Sequence, residues 1–279
     1  MKLIRLFSML SMMSLLGCQN MDEPALGDFP VDVNPPGGPL KFYQAFDGST
    51  ANPLMNAVDS IKANFPSQNP FTTIDGINGK AVQGVSNQFI KFGSFNDWAA
   101  SGSVTISFWS KGGSQTIGNE GGNSAEHIIS FPAKDGYFHW SGAVMMLFIE
   151  SNATGCQVKW TMVDKNHNDT WFTWEGGDAI PGVLDNQWHH FVLRYDAATS
   201  NANLFIDGVK NAITRNWAGH GDLNLDAGFI REARVGKGPK DSGSNDWQSG
   251  SLQRGLDQLR LYGAALNDAE IQKLFSDKK

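Results

Sequence analysis

Trp188-His189-His190-Phe191-Val192-Leu193-Arg194-Tyr195-Asp196, then Ala197 to Asn201, then Ala202-Asn203-Leu204-Phe205-Ile206-Asp207-Gly208, is the stretch whose reading decides the fold. Two runs rich in aromatic and β-branched residues flank a polar loop, and the closing Asp-Gly pair favours a tight hairpin turn. The stretch reads as a β-meander. Strand side chains alternate with period 2, so Phe191, Leu193 and Tyr195 share one face and His190, Val192 and Arg194 the other, and one face goes to a core.

Outward from this stretch, the same kind of run recurs along the chain. Strands are predicted at Lys41 to Phe46, within Gly79 to Phe92 as a pair turning at Ser86-Asn87, and at Val104 to Lys111. Others follow at His127 to Phe131, Ala143 to Glu150, Gln157 to Val163, Thr170 to Trp174 and Ile230 to Val235. Asn52 to Asn69 reads as weakly helical or irregular. Short strands at regular intervals with Gly- and Asn-rich turns predict an all-β, antiparallel two-sheet sandwich. One helix is expected near the end. Asn267 caps it, Glu270 completes a capping box, and Ile271, Leu274 and Phe275 share the face that packs on the sandwich.

The order Trp-His-His-hydrophobic, Tyr-Asp, polar loop, Leu-Phe-Ile-Asp-Gly resembles the LamG-like (concanavalin A-like lectin/glucanase, pentraxin-like) jelly-roll family. Val104-Thr105-Ile106-Ser107-Phe108-Trp109-Ser110-Lys111 is similar to an early strand of that family. Gly255-Leu256-Asp257-Gln258-Leu259-Arg260-Leu261-Tyr262, with Ala265-Leu266-Asn267-Asp268-Ala269-Glu270-Ile271, is similar to its closing strand and helix. The resemblance spans Phe42 to Phe275. It implies a concanavalin A-like jelly roll, a fold that hosts lectins, adhesion modules and enzymes alike.

The chain has 279 residues, 41% hydrophobic and 18% charged, with 31 glycines, which suits one packed, turn-rich β domain. Its formal charge of −6 and lack of a Lys/Arg cluster argue against a nucleic-acid partner. Lys2 and Arg5 precede an apolar run, Leu6 to Leu16, that is too short to span a bilayer. Leu15-Leu16-Gly17-Cys18 resembles the bacterial lipobox, which implies acylation of Cys18 and a signal peptide over residues 1–17. The Pro- and Gly-rich segment 18–40 is then a tether, extended at about 3 Å per residue, and residues 41–279 form the domain. Asp22-Glu23 resembles signals that send lipoproteins to the outer face of the outer membrane. The membrane is thus expected as a partner through the lipid anchor alone. After Cys18 the only cysteine is Cys156, so no internal disulfide is expected and the thiol reads as a small buried hydrophobe.

Catalysis needs patterns that the sequence does not carry. Retaining glucanases of this fold place Glu-x-Asp-x-Glu on one strand, where period 2 brings acid and nucleophile to one face. Here Glu120, Glu126, Glu150, Glu175, Glu232 and Glu270 supply no strand with two Glu at i, i+2. The Arg, Gln-Ile-His-like and Tyr-x-Lys set of jelly-roll lyases is missing as well. Glu232 and Arg234, two apart on one strand, read as a solvated, mutually neutralising pair.

Aromatic residues give the stronger pattern. Sugar C–H faces stack on indole and phenol rings, with amides and carboxylates beside them as hydrogen-bond partners. Of nine Trp, Trp109 and Trp188 sit in framework motifs and Trp98 is ambiguous. Tyr137, His139, Trp140, Trp171, Trp174, Trp217 and Trp247 lie in polar or turn-flanking contexts and are the candidate carbohydrate-binding residues. Burial is the commoner fate of any one Trp. At spacing three, Trp171 and Trp174 cannot share a strand face, so at most one of them joins a platform.

Metal sites are sparser. The family resemblance implies a structural calcium ion at Asp47 and Asp257, near the first and last strands, although Gln258 stands where the family commonly has an acid. Asp164-Lys165-Asn166-His167-Asn168-Asp169 reads as a polar hairpin turn rather than a calcium loop. His189 and His190 point to opposite faces and cannot share a metal. The expected function is polysaccharide or glycoconjugate capture by a non-catalytic surface lipoprotein, with other outer-membrane polysaccharide-uptake components as partners. An adhesion or scaffold module, and an enzyme with an atypical site, are the alternatives.

Overall fold

The computed structural model describes residues 38–47, 58, 69–93, 95–114, 125–152, 155–241 and 247–278. Cys18, the signal segment, most of the tether, nearly all of Asn52 to Asn69, Glu120, Asn245 and Asp246 lie outside them. The described residues belong to one compact unit, Asn34–Lys279.

Among the described residues, fourteen strands form two antiparallel sheets. They are β1 (Leu40–Gln44), β2 (Thr72–Asp75), β3 (Lys80–Gln83), β4 (Ile90–Phe92), β5 (Val104–Gly113), β6 (Glu126–Pro132) and β7 (Ala143–Asn152). The rest are β8 (Gly155–Val163), β9 (Asp169–Trp174), β10 (Asp185–Asp196), β11 (Asn201–Ile206), β12 (Val209–Asn216), β13 (Ala233–Val235) and β14 (Gly255–Tyr262), before helix α1 (Asp268–Asp277). The larger sheet runs β12-β11-β10-β5-β14-β3-β2, with β1 also paired to β14. The smaller runs β4-β13-β6-β7-β8-β9.

The deciding stretch is a meander, β10-β11-β12, with the turn at Asp207 and Gly208, both at positive φ. Its register, Phe191 opposite Ile206 and Tyr195 opposite Ala202, puts Phe191, Leu193 and Tyr195 into the core between the sheets. The other face is not solvated as alternation alone suggests. His190 and Val192 are buried, because α1 lies over them: Val192, Phe205, Leu266 and Ile271 make a second apolar cluster, and the Phe275 ring lies 6.2 Å from that of His190. Asn267 caps α1 by accepting from the Glu270 amide, and Glu270 returns a bond to the Asn267 amide.

Two expectations are corrected. The strands expected as a pair around Ser86-Asn87 are β3 and β4, which lie in different sheets: β3 pairs with β2 and β14, and β4 with β13. Glu232 and Arg234 are not solvated. Both are buried, with Arg234 Nε donating to Glu232 at 2.7 Å and Lys91 reaching the same carboxylate at 2.6 Å. Trp98 is resolved as a core residue whose indole N–H donates to the Tyr262 carbonyl.

Candidate functional site

The smaller sheet has two unlike faces. Alternation sends Met145, Leu147, Ile149, Val158, Trp160, Met162, Phe172 and Trp174 inward to the core. The cross-strand rows Phe148–Lys159–Thr173 and Met146–Thr161–Trp171 face outward. Segments 134–142 and 247–250 cover part of this outer face, leaving Met146 and Phe148 buried. These segments are tied together by Gln248 Nε2 donating to the Ser141 carbonyl, and His127 Nδ1 sits 3.1 Å from the Gly250 carbonyl oxygen.

At the edge of that cover three indoles meet. Trp140 and Trp171 lie with planes 6° apart and centroids at 5.8 Å, and Trp247 tilts against both at 6.5 and 5.7 Å. Trp140 is 53% exposed and Trp171 37%. Trp247 is half-buried over Phe148, at 5.1 Å. The Trp140 indole N–H donates to Asp169 Oδ2 at 3.1 Å, and His139 Nε2 lies 3.8 Å from the same oxygen. Burial holds the His139 imidazole below its ordinary pKa, with Asp169 pulling the other way. Farther along the face Lys159 bridges Glu150 and Glu175 at 2.6 and 3.0 Å. Burial opposes its charge, yet the two carboxylates raise its pKa.

The seven candidates separate. Trp140, Trp171, Trp247 and His139 come together. Tyr137 is half-buried next to them, its ring 6.2 Å from His139, 5.0 Å from His167 and 5.5 Å from Phe229. Burial, then the charges of Asp226, Asp164 and Asp169, push its hydroxyl up to about 12, so it stays a neutral phenol. Trp174 is a correction: it is fully buried, with its N–H donating to the Ile213 carbonyl, because position 174 takes the inward face that 171 does not. Trp217 is half-buried against the core and stacks on His220 at 3.5 Å, away from the indole trio. His220 in turn contacts Asp164, which accepts from the Asn166 and Asn168 amides as the cap of the β8–β9 turn.

Sequence reasoning passed over Asp169 and Phe138. Asp169 stands two residues before Trp171, the spacing of a shared strand face, so alternation could have found it. Phe138, 89% exposed, had no periodic signal because it lies in a loop.

Asp47 and Asp257 also come together, around the turn between β2 and β3. Asp257 Oδ2 accepts from the Ile77 amide at 2.8 Å and Asp47 Oδ1 from the Lys80 amide at 2.8 Å. A Cβ at Gly79, whose φ is +69°, would meet the Asp47 carboxylate, so only glycine fits. Asp257 is fully buried, and its Oδ1 has no hydrogen-bond partner among the described residues. Burial raises its pKa to about 7, with the Ile77 and Gln258 amides pulling down and the Asp47 charge pushing up. A cation suits an orphaned buried carboxylate oxygen beside a second carboxylate. Among the described residues no group of three His, Cys, Asp or Glu assembles, so backbone carbonyls or water would have to complete the shell.

The class defined by this architecture is the concanavalin A-like jelly roll: two antiparallel sheets, a meander under a closing helix, and an outer face left partly open. The chain belongs to the concanavalin A-like lectin/glucanases superfamily, whose Laminin_G_3 family model matches residues 84–272. No match is found among curated proteins. Among solved structures it is similar to the binding domain of Paraclostridial Mosquitocidal Protein 1, at 15% identity and TM-score 0.56, over 85% of this chain and 52% of that one. It is similar also to the binding domain of botulinum neurotoxin DC in complex with rat synaptotagmin II, at 12% identity and TM-score 0.59, over 86% and 52%. A third is domain 4 of AbnA, a GH43 extracellular arabinanase from Geobacillus stearothermophilus, in complex with arabinotriose, at 15% identity and TM-score 0.51, over 84% and 97%. This chain spans about half the length of the toxin domains. At such identities the likeness is one of fold.

Proposed function

We propose that this protein is a non-catalytic carbohydrate-binding module, carried on a lipoprotein anchored through Cys18 at the outer membrane, that captures polysaccharide. The observation that carries the reading is the Trp140–Trp171–Trp247 cluster, with the Trp140 indole held by Asp169. Partly exposed indoles offer flat apolar faces for sugar C–H groups, and Asp169 sets one ring before any ligand arrives. The arabinotriose complex of the arabinanase domain is compatible with this use of the fold. Non-catalytic action is supported by where the glutamates sit: Glu126, Glu150, Glu175 and Glu232 each bind a cation, and Glu270 caps α1. Calcium at Asp47 and Asp257 is part of the proposal. It would neutralise the buried carboxylate and tie β14 to the β2–β3 turn, a structural role away from the indoles.

A protein-adhesion reading stands second, because the neurotoxin neighbour is in complex with a protein, synaptotagmin II, and because Phe138 is almost fully exposed next to the indoles. Affinity electrophoresis through a panel of polysaccharides, with an assay for reducing and unsaturated ends, separates the readings. Retardation without product supports capture. Product from the wild type establishes an enzyme, and neither effect leaves adhesion first. For localisation, a Cys18→Ala variant should be unprocessed or released; fractionation with outer membranes as before would overturn the anchor.

A further inference from the structure

A second site suggests itself where β5 ends. Gln83, Lys111, Gly112, Gly113, Glu126, Asn186 and Arg254 line a cleft of about 260 Å³ at the meeting of β3, β5, β10 and β14. None of them belongs to the indole cluster.

The cleft is built around a buried guanidinium. Arg254 is 3% exposed, and its Nη2 donates to Glu126 Oε1 at 2.9 Å. Glu126 Oε2 accepts from the Gln253 amide at 2.8 Å. The Arg254 Nε–H, although buried, has no acceptor among the described residues. Leaving a buried donor unmade costs stability, so such a group is expected where something else supplies the acceptor. Glycines give it room: a Cβ on Gly112 would lie 3.0 Å from Arg254 Cβ and 3.4 Å from its Cζ, and one on Gly113 would lie 3.1 Å from the Asn186 amide. Lys111, half-exposed at the rim, forms no ion pair among the described residues, and the Asn186 side chain forms no hydrogen bond there. Two cations therefore face one lining carboxylate, with donors in excess of acceptors, in a protein whose formal charge is −6. A ligand with a carboxylate and further oxygens reverses that imbalance. The volume falls just under the roughly 300–1,000 Å³ of drug-sized pockets, which suits one sugar ring rather than a chain.

We propose that this cleft takes a carboxylate-bearing sugar, a uronate residue of an acidic polysaccharide, with Arg254 Nε, Lys111 and Asn186 as its donors. It is a site separate from the indole cluster and does not depend on that cluster binding glycan.

Isothermal titration with galacturonate and glucuronate trisaccharides, a neutral trisaccharide and acetate tests it. At least one acidic trisaccharide should bind, more weakly as salt is added, and Lys111→Gln should weaken it about tenfold, the worth of a hydrogen bond to a charged group. Gly113→Ala, whose added methyl meets the movable Asn186 amide, should weaken it with the melting temperature unchanged, whereas Trp140→Ala should leave it alone. Acetate binding as tightly as the trisaccharides would assign the cleft to free small carboxylates and overturn the sugar. Acidic trisaccharides that fail to bind cooperatively melting wild type, or that bind Lys111→Gln equally well, would overturn the site, and retention of neutral glycan at the indoles would leave the proposed function standing.

Discussion

The indole of Trp140, from the loop between β6 and β7, and that of Trp171, on β9, lie 5.8 Å apart with their planes 6° from parallel. Aromatic pairs of this kind contribute about 0.5–1.5 kcal/mol beyond the area they bury. Here the pair joins a loop to a sheet, and Asp169 fixes the loop partner from the same strand that carries the other.

Burial distinguishes the tryptophans in a denaturation experiment. Trp140→Ala loses an exposed ring and one stacking partner and should cost about 1 kcal/mol or less. Trp174→Ala opens a cavity in the core and should cost about 3–5 kcal/mol. Urea unfolding of the two variants measures both. Equal midpoints would contradict the assignment of Trp140 to the surface and Trp174 to the core.

Asp169→Ala should act on binding rather than folding. Its carboxylate is exposed, but it holds the Trp140 indole N–H. Losing that bond should weaken glycan retardation by about 2–10-fold, the range of one net hydrogen bond, and make the Trp140 emission more mobile. Unaltered retardation would show that the ring needs no such support.

Much of this was legible before the structure, and what escaped did so for physical reasons. The meander from Trp188 to Gly208 and the closing strand Gly255 to Tyr262 were readable because period-2 alternation and an Asp-Gly turn are local signals. The partners of β3 and β4 were not, because strand pairing across sheets depends on residues far along the chain. Spacing alone separated Trp171 from Trp174. Nothing local marked Trp217, whose exposure depends on His220 and on the core beneath it. Glu232 and Arg234 read as solvated for the same reason: a two-residue spacing fixes their face but not what covers it.

Acid should destabilise the protein through His190. Burial, with the Arg260 charge, lowers its imidazole to about 3, and its Nε2 lies 2.9 Å from Ser107 Oγ. The folded form keeps it neutral while the unfolded chain takes a proton below about pH 6.5, so its stability is present above that pH and lost as pH falls. Between pH 7.5 and 5 the loss from this group is about 2 kcal/mol. His139, lowered by burial, acts in the same direction. His189 acts in the opposite one: burial opposes its charge, but Asp207 and Asp185 raise its pKa, so its contribution is present at low pH and fades as pH rises through the raised value. Asp257, raised by burial to about 7, also opposes the effect, since its contribution is present at low pH and fades as pH rises through that value. The His190 effect is therefore read as a difference: on acidification the urea midpoint of the wild type should fall relative to that of His190→Phe. A wild-type midpoint that holds level with or rises relative to that of His190→Phe between pH 7.5 and 5 would contradict the neutral, buried imidazole.

Calcium should raise the melting temperature if Asp47 and Asp257 hold it. At 100 times its dissociation constant an ion bound only by the folded chain contributes about 2.7 kcal/mol. At about 2–4 °C per kcal/mol for a domain of this size, that is roughly 5–10 °C. Asp257→Asn should remove the difference. Superimposed melting curves in excess calcium and excess chelator would eliminate the ion.

The most direct measurement is affinity electrophoresis of wild type and a Trp140→Ala/Trp171→Ala double variant through gels containing each polysaccharide that retards the wild type. The account predicts that the wild type is held back and that the double variant, still melting cooperatively within a few degrees of the wild type, runs as it does through an empty gel. Retardation of the double variant equal to that of the wild type would contradict the indole pair as the glycan-binding surface.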